Sequence, residues 1–167
     1  DVSIVAPVFN EKENLQPFVE EVIAVLAPTK LRFEIVLVDD GSTDGSSELI
    51  HALAGAHPEV RGVHFKANRG QTAAFDAGFK SARGAIVVTI DADLQNDPRD
   101  IPALLQALED HDAAVGFRSE RRDHAVRRWS SRIANAVRNR ISGYDIIYTG
   151  CSLKACRAES LAEIKLW

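Results

Sequence analysis

The chain has 167 residues, of which 46% are hydrophobic and 26% are charged, a balance typical of one soluble globular domain with a substantial core. It has no run of 18 or more apolar residues and no signal peptide, which excludes a membrane span within these residues. The net charge is -4, and the two cysteines lack the partners of a structural zinc site, so we expect reduced thiols in a cytosolic setting.

Short apolar strands alternate with amphipathic helical patterns along the first two thirds of the chain. This alternation predicts an α/β fold with a mostly parallel central sheet and helices on both faces. In chain order, the predicted elements are strand Val2–Phe9, a helix between Asn10 and Pro28 with Asn10 as N-cap and Glu13 as its box partner, strand Phe33–Val38, helix Ser46–Ala54, strand Val60–Phe65, helix Gln71–Ala82, strand Ala85–Ile90, helix Pro98–Asp110 and strand Ala113–Phe117.

Polar clusters follow the first four predicted strands. Ligands of parallel sheets bind beyond the carboxyl ends of the strands, so we expect these clusters to meet in one nucleotide site. Individually, Asn10 can simply cap a helix and Asp40-Gly41 can simply form a turn. The clusters are Phe9-Asn10-Glu11, Asp39-Asp40-Gly41-Ser42, Lys66-Ala-Asn68-Arg69-Gly70 and Asp91-Ala92-Asp93.

Asp91 and Asp93 are the candidate metal ligands. Residues i and i+2 of an extended strand face the same side, about 6 to 7 Å apart, so both carboxylates can reach one divalent ion. Mg²⁺ and Mn²⁺ take oxygen ligands of this kind, commonly together with the oxygens of a bound diphosphate. The alternative is a solvated turn in which an aspartate caps a helix.

The loop after the first strand argues against a dinucleotide-binding domain. It reads Pro7-Val-Phe-Asn-Glu11 and lacks the glycine fingerprint that lets the backbone approach a pyrophosphate. No Gly-Lys-Ser phosphate loop occurs either. A metal held by Asp91 and Asp93 would then have to offset the diphosphate charge.

Five motifs together resemble the inverting family 2 glycosyltransferases of GT-A fold, in the branch that transfers sugars to polyprenyl phosphates. That branch includes dolichyl-phosphate mannose synthase and the undecaprenyl-phosphate aminoarabinose-type transferases. The resemblance implies a UDP- or GDP-sugar donor, a polyprenyl phosphate acceptor at the membrane surface, and Mg²⁺ or Mn²⁺ as cofactor. The motifs are Pro7-Val-Phe-Asn-Glu11, Val38-Asp-Asp-Gly-Ser-Thr-Asp44, Asn68-Arg-Gly-Gln71, Asp91-Ala-Asp-Leu-Gln-Asn-Asp-Pro98 and Thr149-Gly-Cys-Ser-Leu-Lys154.

The resemblance also implies roles for single residues. Asp93 and four arginines would act on the reacting phosphates, with Arg118 matching an arginine that contacts phosphate groups in the family. The base and ribose would be framed by Pro7, Phe9, Glu11 and Asp39, and the rest of the donor site would include Asp40, Asn68, Gln71 and Ala92. The metal and diphosphate would be held by Asp91, Asp93 and Gln95. A second phosphate contact would come from Arg127, Arg128 or Arg132.

Positive charge is concentrated between Arg118 and Arg140. Eight arginines and two acidic residues give this segment +6, which leaves -10 on the rest of the chain. The apolar stripe between His124 and Ile141, with Trp129, predicts either a basic helix lying on an anionic membrane or a surface helix packed on the core. Binding to nucleic acid is disfavoured, because the remaining acidic surface would repel a phosphate backbone.

The acceptor can be argued from charge. A phosphate is already anionic at neutral pH and needs no side-chain base to attack a sugar carbon, whereas a sugar hydroxyl needs one. Two alternatives stay open, namely a family 2 enzyme acting on a saccharide hydroxyl, and a nucleotide-sugar-binding module without turnover. Relatives usually carry an aspartate where this chain has Tyr148, and Asp145 is not a clear equivalent.

The chain contains no methionine, so we expect it to be a piece of a longer protein. The resemblance implies a single GT-A catalytic domain over residues 1–167 that is truncated at its C-terminus. In the family, membrane-contacting segments often follow this point. We therefore expect this part to lie peripherally on the cytoplasmic face of a membrane.

Overall fold

The computed structural model describes residues 1–116 and 151–162. The chain divides into two units, one formed by Asp1–Val115 with Ser152–Trp167 and the other by Gly116–Cys151. All the helices and strands described below belong to the first unit. Within the described residues, no helix combines the length and the apolar character that crossing a membrane requires.

The described elements largely follow the predicted alternation of strands and helices. The strands are β1 (Val2–Val8), β2 (Phe33–Asp39), β3 (Val60–His64), β4 (Ile86–Thr89), β5 (Ala113–Val115) and β6 (Lys154–Arg157). The helices are α1 (Lys12–Leu26), α2 (Ser46–Ala56), α3 (Gln71–Ser81), α4 (Ile101–Ala107) and α5 (Ala158–Ala162), with 3₁₀ turns at Ala27–Thr29 and Pro98–Asp100.

The six strands form one sheet in the order β3-β2-β1-β4-β6-β5. The first four strands of this order run parallel, and β6 is antiparallel to both of its neighbours. Five consecutive residues of β2, from Ile35 to Asp39, are buried. Successive strand residues point to opposite faces, so both faces of β2 are covered, as in a parallel α/β sheet. The predicted α/β class with a mostly parallel sheet is confirmed.

The register of the parallel strands aligns their carboxyl ends. Val8 of β1 pairs with Asp39 of β2, and Asp39 pairs in turn with His64 of β3. On the other side of β1, Val5 pairs with Thr89, the last residue of β4. The loops that leave β1, β2, β3 and β4 therefore emerge at one edge of the sheet.

Helix α3 packs unusually close to the sheet, and Gly78 makes this possible. A Cβ atom at Gly78 would overlap the side chain of Val5 and would lie 3.2 Å from Cγ2 of Val38. Ala74, one turn earlier, is fully buried in the same core. Small residues at i and i+4 thus seat α3 directly on β1 and β2.

Helix α1 does not begin as predicted. Asn10 has a left-handed φ of 58°, and the N-cap position falls on Glu11, which makes no capping bond with its side chain. Instead, the N–H of Lys12 donates to Oδ2 of Asp44 at 3.1 Å, and the N–H of Glu11 donates to Oγ of Ser46 at 3.1 Å. The start of α1 is capped by the loop after β2 and by the first residue of α2, which the sequence pattern around Asn10 does not reveal.

Three further elements differ from the prediction, among them α5, which was not predicted. Strand β6 was not predicted, because four mixed residues after the long arginine segment carry no clear strand pattern. The predicted helix Pro98–Asp110 is a 3₁₀ turn followed by a helix that ends at Ala107. Its start is set by Asp97, whose Oδ1 accepts the N–H of Arg99 at 2.9 Å.

Candidate active site

A cleft of about 310 Å³ opens at the edge of the sheet where β1, β2 and β4 end. Val8 and Gly70, which lie within the motifs but were given no role of their own, are part of its lining. Nine residues predicted for the donor site also line it, namely Pro7, Phe9, Glu11, Asp40, Asn68, Gln71, Asp91, Ala92 and Asp93.

Asn10 locks the loop after β1 onto the loop after β2. Its N–H donates to Oγ of Ser42 at 2.9 Å, and its Oδ1 accepts the N–H of Thr43 at 2.8 Å. Asparagine tolerates the left-handed backbone better than most residues because its short side chain bonds locally. This arrangement holds Phe9, 46% exposed, and Glu11 at the cleft on either side of the turn.

Asp39, which the resemblance assigns to the nucleotide base, is the last residue of β2 and directly precedes Asp40, which lines the cleft. Its side chain is buried, with Oδ1 accepting the N–H of Ser42 at 2.9 Å and Oδ2 lying 3.4 Å from Nδ1 of His64. Burial would raise the pKa of Asp39, but hydrogen bonds with Ser42, His64 and Ser47 outweigh it and hold the pKa below its ordinary value. Asp39 thus stabilises the loop after β2 through its hydrogen bond with Ser42.

Asp40, the next residue, faces the cleft and organises a second loop. Its two carboxylate oxygens accept the backbone N–H groups of Arg69 at 2.6 Å and Gly70 at 2.9 Å. The backbones are so close here that a Cβ atom on Gly41, where φ is 73°, would lie 2.5 Å from the carbonyl carbon of Ala67. The loops after β2 and β3 therefore pack as one unit.

Asp91 and Asp93 line the same cleft but not as strand residues. Strand β4 ends at Thr89, so the predicted two-residue strand spacing does not apply, and the two aspartates sit in a loop. Oδ1 of Asp91 accepts a hydrogen bond from Nε2 of Gln71 at 2.8 Å, and Oδ1 of Asp93 accepts the N–H of Gln95 at 3.0 Å. In each carboxylate, Oδ1 is thus oriented by a hydrogen-bond donor, and Oδ2 takes no part in that hydrogen bond.

Leu94 adopts an uncommon backbone conformation in this loop. Its φ is 59°, in the left-handed region that is costly for a leucine, and its side chain is 38% exposed. Gln95, predicted to help hold the metal and diphosphate, is not among the residues that line the cleft. Its backbone N–H fixes Asp93, and its role toward the metal and diphosphate stays a prediction.

The carboxylate pair fits a hard divalent cation. Asp91 and Asp93 offer oxygen ligands, the type that Mg²⁺ and Mn²⁺ prefer. Within residues 1–116 and 151–162, no cluster of three or more His, Cys, Asp or Glu side chains is placed to hold a metal. The protein part of such a site would therefore be small, as expected where substrate phosphates complete the coordination.

The loop after Asp93 is tied to the segment before β6, which was not predicted. Nδ2 of the buried Asn96 donates to Oγ of Ser152 at 2.7 Å, and Oγ1 of Thr89 donates to the carbonyl of Ser152 at 2.6 Å. Asn96 belongs to the same motif as Asp91 and Asp93, and this was the signal in the sequence that could have identified it as a residue of the site's surroundings. Asn96 and Ser152 thus hold the loop that carries Asp91 and Asp93 against the segment before β6.

The arginine assignments lie outside the described residues. So do Tyr148, Asp145 and the predicted amphipathic helix between His124 and Ile141. The arginines concerned are Arg118, Arg127, Arg128 and Arg132.

The fold resembles two solved enzyme structures. A mannosyltransferase from Pyrobaculum calidifontis in complex with GDP-Man and Mn²⁺ has a TM-score of 0.72 at 23% identity, over 96% of this chain and 45% of that chain. Glucosyl-3-phosphoglycerate synthase from Mycobacterium tuberculosis in complex with Mn²⁺, UDP and glucosyl-3-phosphoglycerate has a TM-score of 0.71 at 23% identity, over 98% of this chain and 58% of that chain. The fold is of the GT-A type.

Sequence comparison gives the family. A family model described as Glycosyl transferase family 2 matches residues 3–165. The match extends over nearly the whole chain, so the chain belongs to glycosyl transferase family 2. The family predicted from the five motifs is confirmed.

The matched curated relatives fall in the expected branch. Dodecaprenyl-phosphate galacturonate synthase from Rhizobium johnstonii is 42% identical over 172 residues, with 99% of this chain and 50% of the relative aligned. Undecaprenyl-phosphate 4-deoxy-4-formamido-L-arabinose transferase from Pseudomonas savastanoi pv. phaseolicola is 45% identical over 159 residues, with 93% of this chain and 47% of the relative aligned. This chain spans about half the length of both relatives.

Proposed function

We propose that the protein is a metal-dependent inverting glycosyltransferase that moves a sugar from a UDP- or GDP-sugar to a polyprenyl phosphate. Both curated relatives are named for a polyprenyl phosphate and a sugar, and both are more than 40% identical to this chain. Since this chain spans half of each relative, the activity of the whole protein is part of the proposal.

The observation that best supports this proposal is a single cleft that combines an apolar aromatic wall with two carboxylates. Phe9 and Pro7 present flat apolar surface to the cleft, as suits a nucleobase. Asp91 and Asp93 line the same cleft and supply acidic oxygens. A nucleoside diphosphate bound to a divalent cation has both of these features, an aromatic base and a metal–phosphate group.

The metal would be held by Asp91 and Asp93 together with the donor diphosphate. When bound, Mg²⁺ or Mn²⁺ would stabilise the charge of the nucleoside diphosphate as it leaves. The chain's own contribution is to hold the two carboxylates in place through Gln71 and the backbone of Gln95. Glu11 and Asn68 add polar groups to the donor side of the cleft.

The proposed acceptor, a polyprenyl phosphate, is supported by the charge distribution along the chain and by the two curated relatives. An anionic phosphate attacks without a side-chain base, so the cations that bring it to the donor matter most. The segment from Arg118 to Arg140, with its +6 balance, can supply those cations and contact an anionic membrane surface. Arg118 would contact a phosphate in the site, with Arg127, Arg128 or Arg132 as the second contact.

The test is transfer of labelled sugar into a lipid-extractable product by the full-length protein. Undecaprenyl phosphate, Mn²⁺ and a panel of labelled UDP- and GDP-sugars would be supplied in turn. We expect one donor to yield labelled lipid, and Asp93→Ala to reduce the yield by at least about a hundredfold, which corresponds to about 2.7 kcal/mol of lost transition-state stabilisation. Full activity of Asp93→Ala would contradict the metal assignment.

A further inference from the structure

Gln71 contacts the metal-site carboxylate directly. It is the first residue of α3, and its Nε2 donates to Oδ1 of Asp91 at 2.8 Å. An ionised carboxylate only accepts hydrogen bonds, so the NH₂ end of the amide must face Asp91. Oδ1 of Asp91 is then directed toward α3, and Oδ2 is the oxygen left outside this bond.

The backbone that carries Gln71 is itself tied to the strand ends. The two preceding residues, Arg69 and Gly70, both donate their N–H groups to Asp40. The N–H of Asp40 donates in turn to the carbonyl of Val8 at 2.8 Å. A continuous path of hydrogen bonds thus runs from the end of β1, through Asp40 and the start of α3, to Asp91.

The two carboxylates of the site are oriented in different ways. Asp91 lies beyond the end of β4 and is partly exposed, and the donor that orients it comes from another element, α3. Asp93, in contrast, is oriented within its own turn by the N–H of Gln95. Loss of the Gln71 amide should therefore affect Asp91 while leaving the turn around Asp93 intact.

We propose that Gln71 is a positioning residue that orients Asp91 for the divalent cation, and that it does not itself bind the nucleotide. The inference rests on the proposed function, because it requires a metal at Asp91 and Asp93. Outer groups that orient metal ligands typically change metal affinity by about 10- to 100-fold when removed. An exposed amide–carboxylate bond belongs at the lower end of that range.

Isothermal titration of Gln71→Ala with UDP or GDP, whichever the wild type binds, separates the two roles. We expect Gln71→Ala to bind the nucleoside diphosphate about tenfold more weakly than the wild type in the presence of Mn²⁺, and as tightly as the wild type in its absence. In an Asp91→Ala background, Gln71→Ala should have no further effect on either titration. Gln16→Ala is the matched control, since Gln16 makes the same kind of bond to Glu20 at 2.9 Å on α1, away from the cleft.

Each contrary result has a distinct meaning. Equal weakening with and without Mn²⁺ would show that Gln71 contacts the nucleotide and would overturn the inference. So would unchanged Mn²⁺-dependent affinity in Gln71→Ala, provided that the wild type depends on Mn²⁺. If wild-type binding ignores Mn²⁺ altogether, the metal assignment under the proposed function fails and this inference falls with it.

Discussion

Two adjacent aspartates, Asp39 and Asp40, have opposite roles at the end of β2. Both residues are buried, but strand alternation sends their side chains to different sides of the chain, so Asp39 meets His64 while Asp40 lines the cleft. The carboxylate of Asp39 bonds to the loop from below, and that of Asp40 bonds to the loop after β3. The sequence motif alone does not distinguish them, because both residues follow the same apolar run.

Replacement of Asp39 should affect stability and its pH dependence. The pKa of Asp39 is lowered in the folded protein, so its contribution is present above about pH 4, the ordinary range of an aspartate, and is lost as the pH falls through the lowered pKa. Asp39→Asn should cost about 1 to 3 kcal/mol near pH 7, because a buried charged acceptor is lost.

Urea denaturation at several pH values checks this prediction. The difference in unfolding free energy between wild type and Asp39→Asn should shrink as the pH is lowered from about 6 toward about 3. Asp76→Asn is a suitable control, since Asp76 pairs with Lys80 at the protein surface. A difference that stays constant over this pH range would contradict the assigned role of Asp39.

Side-chain roles were partly predictable at the residue scale. Asp40, Asp91 and Asp93 were placed in the site by their position after strands, and the structure brings them to one cleft. Asp39 and Gln95 were assigned by motif position, and these two assignments stay predictions. The hydrophobic pattern does not report which way a side chain points once a strand has ended, so the loop contacts of Asp40, Asp91 and Asp93 could not be predicted from it.

At the scale of elements, the loops that build the cleft depend on close contact between backbones. Gly41 has a φ of 73° and leaves no room for a Cβ atom beside Ala67. This contact sets the loop after β2 against the loop after β3 and so places Asp40 under Gly70. The helix and strand pattern predicted the elements, but these tertiary contacts between loops carry no periodic signal.

Two glycine replacements should therefore have opposite effects. Gly41→Ala should destabilise the protein by about 1 to 3 kcal/mol, because of the positive φ and the overlap with Ala67. Gly55 lies in α2, and a methyl group added there would meet no atom of the described residues within 4 Å. Gly55→Ala should stabilise the protein by up to about 1 kcal/mol, because alanine favours helix.

Thermal unfolding of both glycine variants, followed by circular dichroism, checks the pair. Nucleoside diphosphate binding should weaken in Gly41→Ala and stay unchanged in Gly55→Ala. A Gly41→Ala variant as stable as the wild type would show that the two loops can separate without cost.

For the whole molecule, the main feature is its uneven charge. The segment from Arg118 to Arg140 carries +6, and the remainder carries -10. We propose that this segment meets an anionic membrane surface. The fold class and family were predictable at this scale, because ordered motifs along almost the entire chain constrain both.

Charge removal from the end of the segment should loosen membrane attachment. Arg138→Gln with Arg140→Gln should weaken binding to anionic vesicles by roughly 1 kcal/mol per charge, and added salt should weaken it further. Donor binding should change little. Co-sedimentation with phosphatidylglycerol vesicles measures the effect, and Lys30→Gln, on the connection between α1 and β2, serves as control. Equal sedimentation of all three proteins would contradict the proposed contact.

The most direct test of the central claim compares undecaprenyl phosphate with undecaprenol as acceptor for the full-length protein, using its preferred sugar nucleotide and Mn²⁺. A soluble saccharide is offered in parallel. If the acceptor phosphate is the nucleophile, label should enter only the phosphorylated lipid, since the alcohol needs a base that the phosphate does not. Transfer to undecaprenol or to the saccharide at an equal rate would contradict the account and favour a hydroxyl acceptor.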